Sequence, residues 1–340
     1  MDSHYSVKLG KLIEDFELDV LRGAEGYREV LIQREDVQAL LEGIMMRGVE
    51  KECMAVRMSD GSIYLEEKEL PKAKWYQKTP FVRGPVNFVT TLISGYKYIS
   101  KSADKSMEGE EAEEPSKFEK WLDNKLGDKL MGVIMTIASV LGVLLAVGLF
   151  VYLPALATKG LSLLIPKLSE LYVVKNIIEG LIKILIFIAY IWLTSLLKDI
   201  RRTYEYHGAE HKTITCYEAG DEVTVENVRK YRRFHPRCGT SFMFLVLFIS
   251  IFVNSIFMLP WDAVWLRALL KLCVLPVVVS IAYELIKLAG RYDNIFTKII
   301  SAPGLWIQRL TTREPDDSQI EVAIAAFLPC IPEDKEKDRW

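Results

Sequence analysis

The chain has 340 residues, 50% of them hydrophobic, with a mean hydropathy of +0.15 and a formal charge of -2. Such a near-neutral balance leaves no global field to gather nucleic acid, and so high an apolar content excludes an ordinary set of soluble domains. Five cysteines, odd in number and widely spread, show no disulfide framework.

Residues 1–38 are charged and mildly amphipathic, and read as a helical or loose extension. They lack the apolar core of a signal peptide, so insertion is expected to rely on internal segments. From Ala39 the texture changes to LLEGIMMRGV and then CMAVRMSDGSIYLEEKEL, which alternates on both sides of Asp60-Gly61. Glycine tolerates positive φ, so this is a hairpin signal, and a small β-containing cytosolic unit is predicted over 39–79. Residues 80–103 carry Phe81, Val82, Val86, Val89, Leu92, Ile93, Tyr96 and Ile99 at helical spacing, flanked by Lys97 and Lys101. That segment is too polar to span and reads as an amphipathic helix at the membrane interface or packed on the bundle. A linker with the acidic patch Glu108–Glu114 follows, over 104–128.

Four transmembrane helices are predicted in 129–290. No charged residue lies between Lys129 and Lys159, nor between Arg237 and Asp262, and each gap exceeds the ~20 residues needed to cross a bilayer. The spans are read as Leu130 to about Leu156, about Val173–Leu197, about Thr240–Pro260 and about Val264–Ala289. In the second, Glu179 and Lys183 are spaced to pair along one face. In the fourth, Arg267 and Lys271 are expected to snorkel toward the interface. The fold class is thus a mainly α-helical integral membrane protein with a small β-containing unit. Basic residues crowd the segment between spans two and three (Lys198, Arg201, Arg202, Lys212, Arg229, Lys230, Arg232, Arg233, Arg237) and flank spans one and four. The positive-inside rule therefore places this segment and both termini in the cytosol of a multipass cell-membrane protein. The bilayer is the expected partner, other membrane proteins a further one, and nucleic acid is not expected.

The chemistry concentrates in a His-rich loop over 198–239. His207 and His211 are four residues apart, so a helix continuing past Leu197 projects both imidazoles from one face. With Glu210 the string is H-x-x-E-H, the inverted zinc-protease motif, in which the histidines bind a divalent metal and Glu210 is the general base for water. Gly208 inside it weakens the helix. His235 and Cys238 form a second pair at ligand spacing, beside the start of span three. If His207, His211, His235 and Cys238 all bind, the site is closed and structural; if three bind and water takes the fourth place, it is open to hydrolysis. In the plain alternative these side chains only pack and hydrogen-bond. Cys216 reads as a buried small residue. Glu284, near the cytosolic end of span four, is either an outer partner of the site or a partner of Lys287. A short helix is expected from Thr224 with Glu226 in its first turn, and another after the caps Asp316, Asp317 and Ser318 in the cytosolic tail 291–340.

The strings LLKDIRRTYEYHGAEHKTITCYE, TVENVRKYRRFHPRCGTSF, PVVVSIAYELIKLAGR and PGLWIQRLTTREPDDSQIEVAIAAF resemble the YqhQ-like family of bacterial multipass membrane proteins. One departure is the segment Asp36-Val37-Gln38-Ala39-Leu40, where the family shows a glycine pair before its glutamine and alanine. The resemblance implies membrane location and a predicted metal-dependent enzyme. Two functions stand: a hydrolase with a divalent metal, zinc by its ligand types, and a non-enzymatic metal-stapled scaffold for membrane-protein insertion or quality control. A transporter is less supported, since spans one and three carry almost no intramembrane charge.

Overall fold

The computed structural model describes residues 38–332 except 49, 73, 107, 109–129, 236–237, 258–260, 262 and 293. The expected N-terminal extension, the first half of the departing segment and nearly all of the acidic linker lie outside the described residues. In chain order come β1 (Gln38–Leu40), β2 (Gly43–Arg47), β3 (Lys51–Arg57) and β4 (Ile63–Glu69), then α1 (Trp75–Lys78) and α2 (Arg83–Ser106). Next are α3 (Leu130–Val147), a π-turn (Gly148–Tyr152), α4 (Leu153–Leu164), α5 (Pro166–Glu170) and α6 (Tyr172–Thr194). The remainder is α7 (Lys198–Glu218), α8 (Val225–Lys230), α9 (Gly239–Ile256), α10 (Val264–Arg291), α11 (Ile295–Thr311) and α12 (Asp317–Phe327).

Four helical stretches are long and apolar enough to cross a membrane: Ile137–Leu164, Tyr172–Thr194, Gly239–Ile256 and Val264–Ala289. The chain is a mainly helical membrane protein with a small sheet. The first stretch ends later than about Leu156, because its helix continues through the π-turn into α4. That turn ends two residues before Pro154, which cannot donate to the ladder and crowds the carbonyl of Phe150 within the turn.

The chain divides into two compact units. One comprises Met1–Ser106, Ile191–Val246 and Val279–Trp340, the other Met107–Tyr190 and Leu247–Val278. In the first, the four strands form an antiparallel meander in sequence order. The β3–β4 hairpin turns at Asp60-Gly61, where Gly61 has φ +84° and the Asp60 carboxylate accepts from the Ser62 amide at 2.8 Å. The apolar runs GIMM and CMAV are buried on both faces. Ile44, Met46, Cys53 and Ala55 pack with Tyr206, Ala209 and Ile214 of α7 and with Ile320, Ala323 and Phe327 of α12. Leu40, Met45, Met54 and Val56 pack on Tyr98 of α2. Period-two alternation with helices on both sides is what makes these strands apolar throughout.

The helix α2 covers the sheet with Gly95, Tyr98 and Ser102, while Val89, Leu92, Ile93 and Tyr96 stay exposed. Its apolar stripe therefore faces away from the core. Phe81, just before it, adopts φ +63°, held by its N–H to Glu284 at 3.0 Å and by Ser280 Oγ–H donating to its carbonyl at 2.6 Å.

A continuous helix through Leu197 is not what forms. The hydroxyls of Thr194 and Ser195 bond back to the carbonyls of Ile191 and Trp192, Leu197 turns extended, and α7 begins afresh at Lys198. The segment read as a His-rich loop is thus mostly helix. Downstream, α8 is capped by Thr224 and α12 by Asp316 in a reciprocal box with Gln319, as expected. The tail also holds α11, which the sequence reading did not predict, capped by Asn294.

In the second unit the charges of the spans behave differently from expectation. Glu179 does not pair with Lys183; its two oxygens are taken by Arg267, at 2.7 Å, and by Lys271. Arg267 and Lys271 are 1% and 9% exposed and do not snorkel. A carboxylate in low dielectric draws the nearest cations inward, which outweighs their reach for the interface.

Glu52 of β3 is buried and accepts from Tyr98 Oη at 2.6 Å and from Lys68 Nζ at 2.7 Å. Burial opposes its ionisation, but Lys68 and Tyr98 prevail and hold its pKa below the ordinary 4.5. A depressed carboxylate contributes stability that is present above the unfolded pKa and lost as pH falls through the folded one. Glu52→Gln should lower stability at pH 7 by about 1–3 kcal/mol, with the gap closing below pH ~4.5, as read from thermal unfolding in detergent across pH.

Candidate metal centre

The site is built on one face of α7. Its N-terminal turns are pinned to the sheet: Arg202 pairs with Glu42 of the β1–β2 turn, and Tyr206 Oη donates to the same carboxylate at 3.1 Å. One helical turn separates His207 from His211, and their ring centroids lie 4.4 Å apart. Gly208 sits between them against the strand of chain that follows α11, where a Cβ would collide with the Arg313 carbonyl oxygen. Arg313 N–H in turn donates to the Tyr204 carbonyl at 2.8 Å. The glycine is therefore required by this close approach, which outweighs its cost to the helix.

Hydrogen bonding fixes both imidazoles. His207 Nδ1 lies 2.8 Å from the Thr311 carbonyl, and His211 Nδ1 lies 2.6 Å from the Arg233 carbonyl. A carbonyl only accepts, so each Nδ1 carries the proton and each Nε2 keeps its lone pair. Both lone pairs are directed to Cys238: His207 Nε2 is 3.1 Å from its Sγ, and the ligand atoms of His207, His211 and Cys238 all lie within 4.8 Å of one another. His211 Nε2 is buried with no hydrogen-bond partner among the described residues. Cys238, just before α9, also meets Thr240 Oγ1 at 3.2 Å.

Burial keeps His211 below its usual pKa, hence neutral. Burial opposes ionisation of Cys238 as well, but His211 and the Thr240 hydroxyl hold its thiol below the usual range. Two imidazoles presenting Nε2 and a thiol held below its usual range, all nitrogen and sulfur donors, match the preferences of a zinc-type cation. The residues present fit such an ion, and an orphaned buried nitrogen is the observation that says so.

Glu210 follows in the same helix, 5% exposed, with Oε2 buried and without a partner among the described residues. Burial pushes its pKa up to about 8, with Cys238 nearby adding to the rise. His235 is placed otherwise than the second ligand pair suggested. Its Nε2 lies 3.2 Å from Glu218, its main chain is clamped by Gln308, and it does not belong to the group of three. Glu284 is engaged by Arg83 Nε at 2.9 Å and by the Phe81 N–H. Cys216 is buried, its thiol raised to about 11 by burial, and donates to the Glu222 carbonyl.

Sequence reasoning missed the residues that brace the site: Glu218, Arg233, Gln308 and Thr311. Gln308 is the most telling, since it is wholly buried and holds the His235 amide, the His235 carbonyl and Ser241 Oγ. A glutamine inside an apolar helical stripe was the available signal. Glu314 adds a lock, receiving Lys212 at 2.6 Å and Arg233 at 2.9 Å.

In an open helix Gly→Ala raises stability by up to about 1 kcal/mol, whereas forcing a methyl into packed backbone costs about 1–3 kcal/mol. Gly208→Ala should therefore lower the thermal midpoint of the purified protein. An unchanged or higher midpoint would contradict the close approach of Arg313.

The family model described as "Protein of unknown function (DUF1385)" matches residues 79–333. The uncharacterized protein YqhQ of Bacillus subtilis (strain 168) is 35% identical over 295 residues, covering 85% of this chain and 90% of that protein. No solved structure matches the chain. With most of its length matched on both counts, the chain belongs to the YqhQ-like, DUF1385 family.

Proposed function

We propose that this membrane protein holds a divalent cation, zinc by donor chemistry, on His207, His211 and Cys238, and uses it for hydrolysis with Glu210 as general base. The observation that carries the reading is the pair of Nδ1–H bonds to main-chain carbonyls, which aim two imidazole lone pairs and a thiol at one point. Such outer partners are the usual way a protein sets ligand tautomer and orientation. Three ligands with His235 turned to Glu218 favour an open fourth place over a closed site.

A bound cation supplies Lewis-acid activation of water or of a carbonyl. The protein's part is to orient and to move a proton. His207 and His211 present fixed Nε2 atoms, Thr240 steadies Cys238, and Glu210 accepts a proton at its unpartnered Oε2. Leaving a buried carboxylate oxygen unbonded costs about 1–3 kcal/mol, a cost retained where the group has a task. Positive charge beside it draws Glu210 back to the ionised form that a base needs.

The second reading is a non-enzymatic scaffold, favoured by the same bonds seen from the other end. His207 ties down Thr311 and His211 ties down Arg233, so a cation there also staples two chain segments to α7. By the positive-inside rule the site and both termini face the cytosol of the cell membrane, where the exposed stripe of α2 lies along the lipid surface.

Purified protein should carry about one zinc per chain by elemental analysis, falling several-fold in His207→Ala and Cys238→Ser but not in His235→Ala. Metal-free protein of unchanged fold overturns both readings. Glu210→Gln should keep the metal and the thermal midpoint while losing about 10²–10⁴-fold of the activity that complements a deletion strain. Full complementation by that variant favours the scaffold. A fluorescent-protein fusion at the C-terminus should light up and a phosphatase fusion there should be silent; the reverse pattern refutes the cytosolic assignment.

A further inference from the structure

Helix α11 presents two unlike faces. Thr297, Gly304, Ile307, Gln308 and Thr311 are buried, whereas Ile295, Phe296 and Ile299 are 63–73% exposed and Trp306 is 43% exposed. At about 100° per residue these four, with the exposed Pro303, fall in one unbroken apolar stripe. The helix carries no acidic residue, and by the same spacing Lys298 and Arg309 flank the stripe on one side. A bare apolar stripe of this kind marks a surface that something covers.

Two attachments fix where the stripe lies. Asn294 caps α11 only a few residues after the span Val264–Ala289 ends. Further along, Gly304 abuts Ser241, in the first turn of the span Gly239–Ile256, so closely that a Cβ would collide with its side chain. Gln308 Nε2 also donates to Ser241 Oγ at 3.1 Å. Between Ser241 and Asn294 the chain crosses the membrane twice, so both attachments stand on one membrane face. A helix joining them runs along that face, and α11, at 17 residues, is not among the four stretches able to cross. The α2 helix is attached to the same span ends: Asn87 Nδ2 donates to Tyr283 Oη at 2.8 Å, and the Phe88 ring lies 6.0 Å from that of Phe242. The side of α11 turned from the stripe braces the His-rich site. There Gln308 holds both main-chain groups of His235, and the Thr311 carbonyl accepts from His207 Nδ1.

We infer that α11 is an in-plane membrane anchor, its stripe sunk into the lipid of the leaflet beside the candidate metal centre while its far side supports His207 and His235. Bilayer lipid is the occupant that this position and chemistry fit. The apolar face of such a helix enters the acyl boundary by about 5–10 Å, tryptophan favours that boundary, and a basic flank without acidic residues suits headgroup phosphates. The stripe is also continuous with the lipid-facing spans to which α11 is attached. The tail 291–340, expected in the cytosol, therefore begins within the membrane surface. The inference does not use the metal chemistry, so either reading can fail alone.

The test uses the full chain with p-benzoylphenylalanine in place of Phe296 or of Ile299, irradiated in whole membranes and then purified. Both side chains are largely exposed, so the replacement meets no core neighbour. Mass analysis should find a phospholipid adduct at one or both positions. The inference is overturned if neither position yields one, whether the label joins a second copy, another protein or nothing. In nanodiscs of phosphatidylethanolamine and phosphatidylglycerol, Phe296→Glu combined with Ile299→Glu should lower the thermal midpoint by several degrees, because charge then enters the leaflet. A stripe facing water would take the same change with its midpoint unmoved, and that result also overturns the inference.

Discussion

The first unit depends on the close approach of the chain at Arg313 to helix α7 at Gly208. Because no Cβ stands there, the carbonyl of Arg313 lies against the helix, and Thr311, two residues upstream, comes beside His207. The contact that packs two elements thus also sets an imidazole tautomer. Arg233 does the same for His211 while its guanidinium is locked by Glu314. Packing and electrostatics act through the same few atoms, so the aim of the two Nε2 lone pairs is as rigid as the core beneath them. That core is the sheet face of Ile44, Met46, Cys53 and Ala55, closed from above by α12.

Both units bury polar and charged side chains. In the first, main-chain carbonyls hold His207 and His211, the Glu218 carboxylate faces His235, and the unpartnered buried atoms include His211 Nε2 and Glu210 Oε2, where a ligand or a proton would go. In the second, whole charges are enclosed, and the carboxylate of Glu179 gathers Arg267 and Lys271 from a helix ninety residues away in sequence. Ion pairs of this kind contribute little net stability, since desolvation offsets attraction.

Much of this was legible in the residues. The charge-free stretches marked spans one and three, the alternation around Asp60-Gly61 marked the hairpin, and Thr224 and Asp316 marked helix starts, because each is a local signal. His207 and His211 shared a face as their spacing required. The His235 and Cys238 pair separated for a reason no spacing reveals: Glu218 and Gln308, distant in sequence, hold His235 away while Cys238 turns inward. Gly208 read as a flaw in a helix until its neighbour was known. Glu179 and Lys183 satisfied the local pairing rule, yet a stronger long-range set of partners prevailed.

The sequence by itself determined the membrane class, the four apolar helices, the sheet, the family and the presence of donor side chains suited to a metal, since these follow from composition, periodicity and short-range caps. Only the tertiary structure decided which donors meet, which tautomers they adopt, and which buried charges pair. Those outcomes rest on contacts between residues dozens to hundreds of positions apart, and in a low-dielectric interior the strongest available partner wins regardless of its distance along the chain.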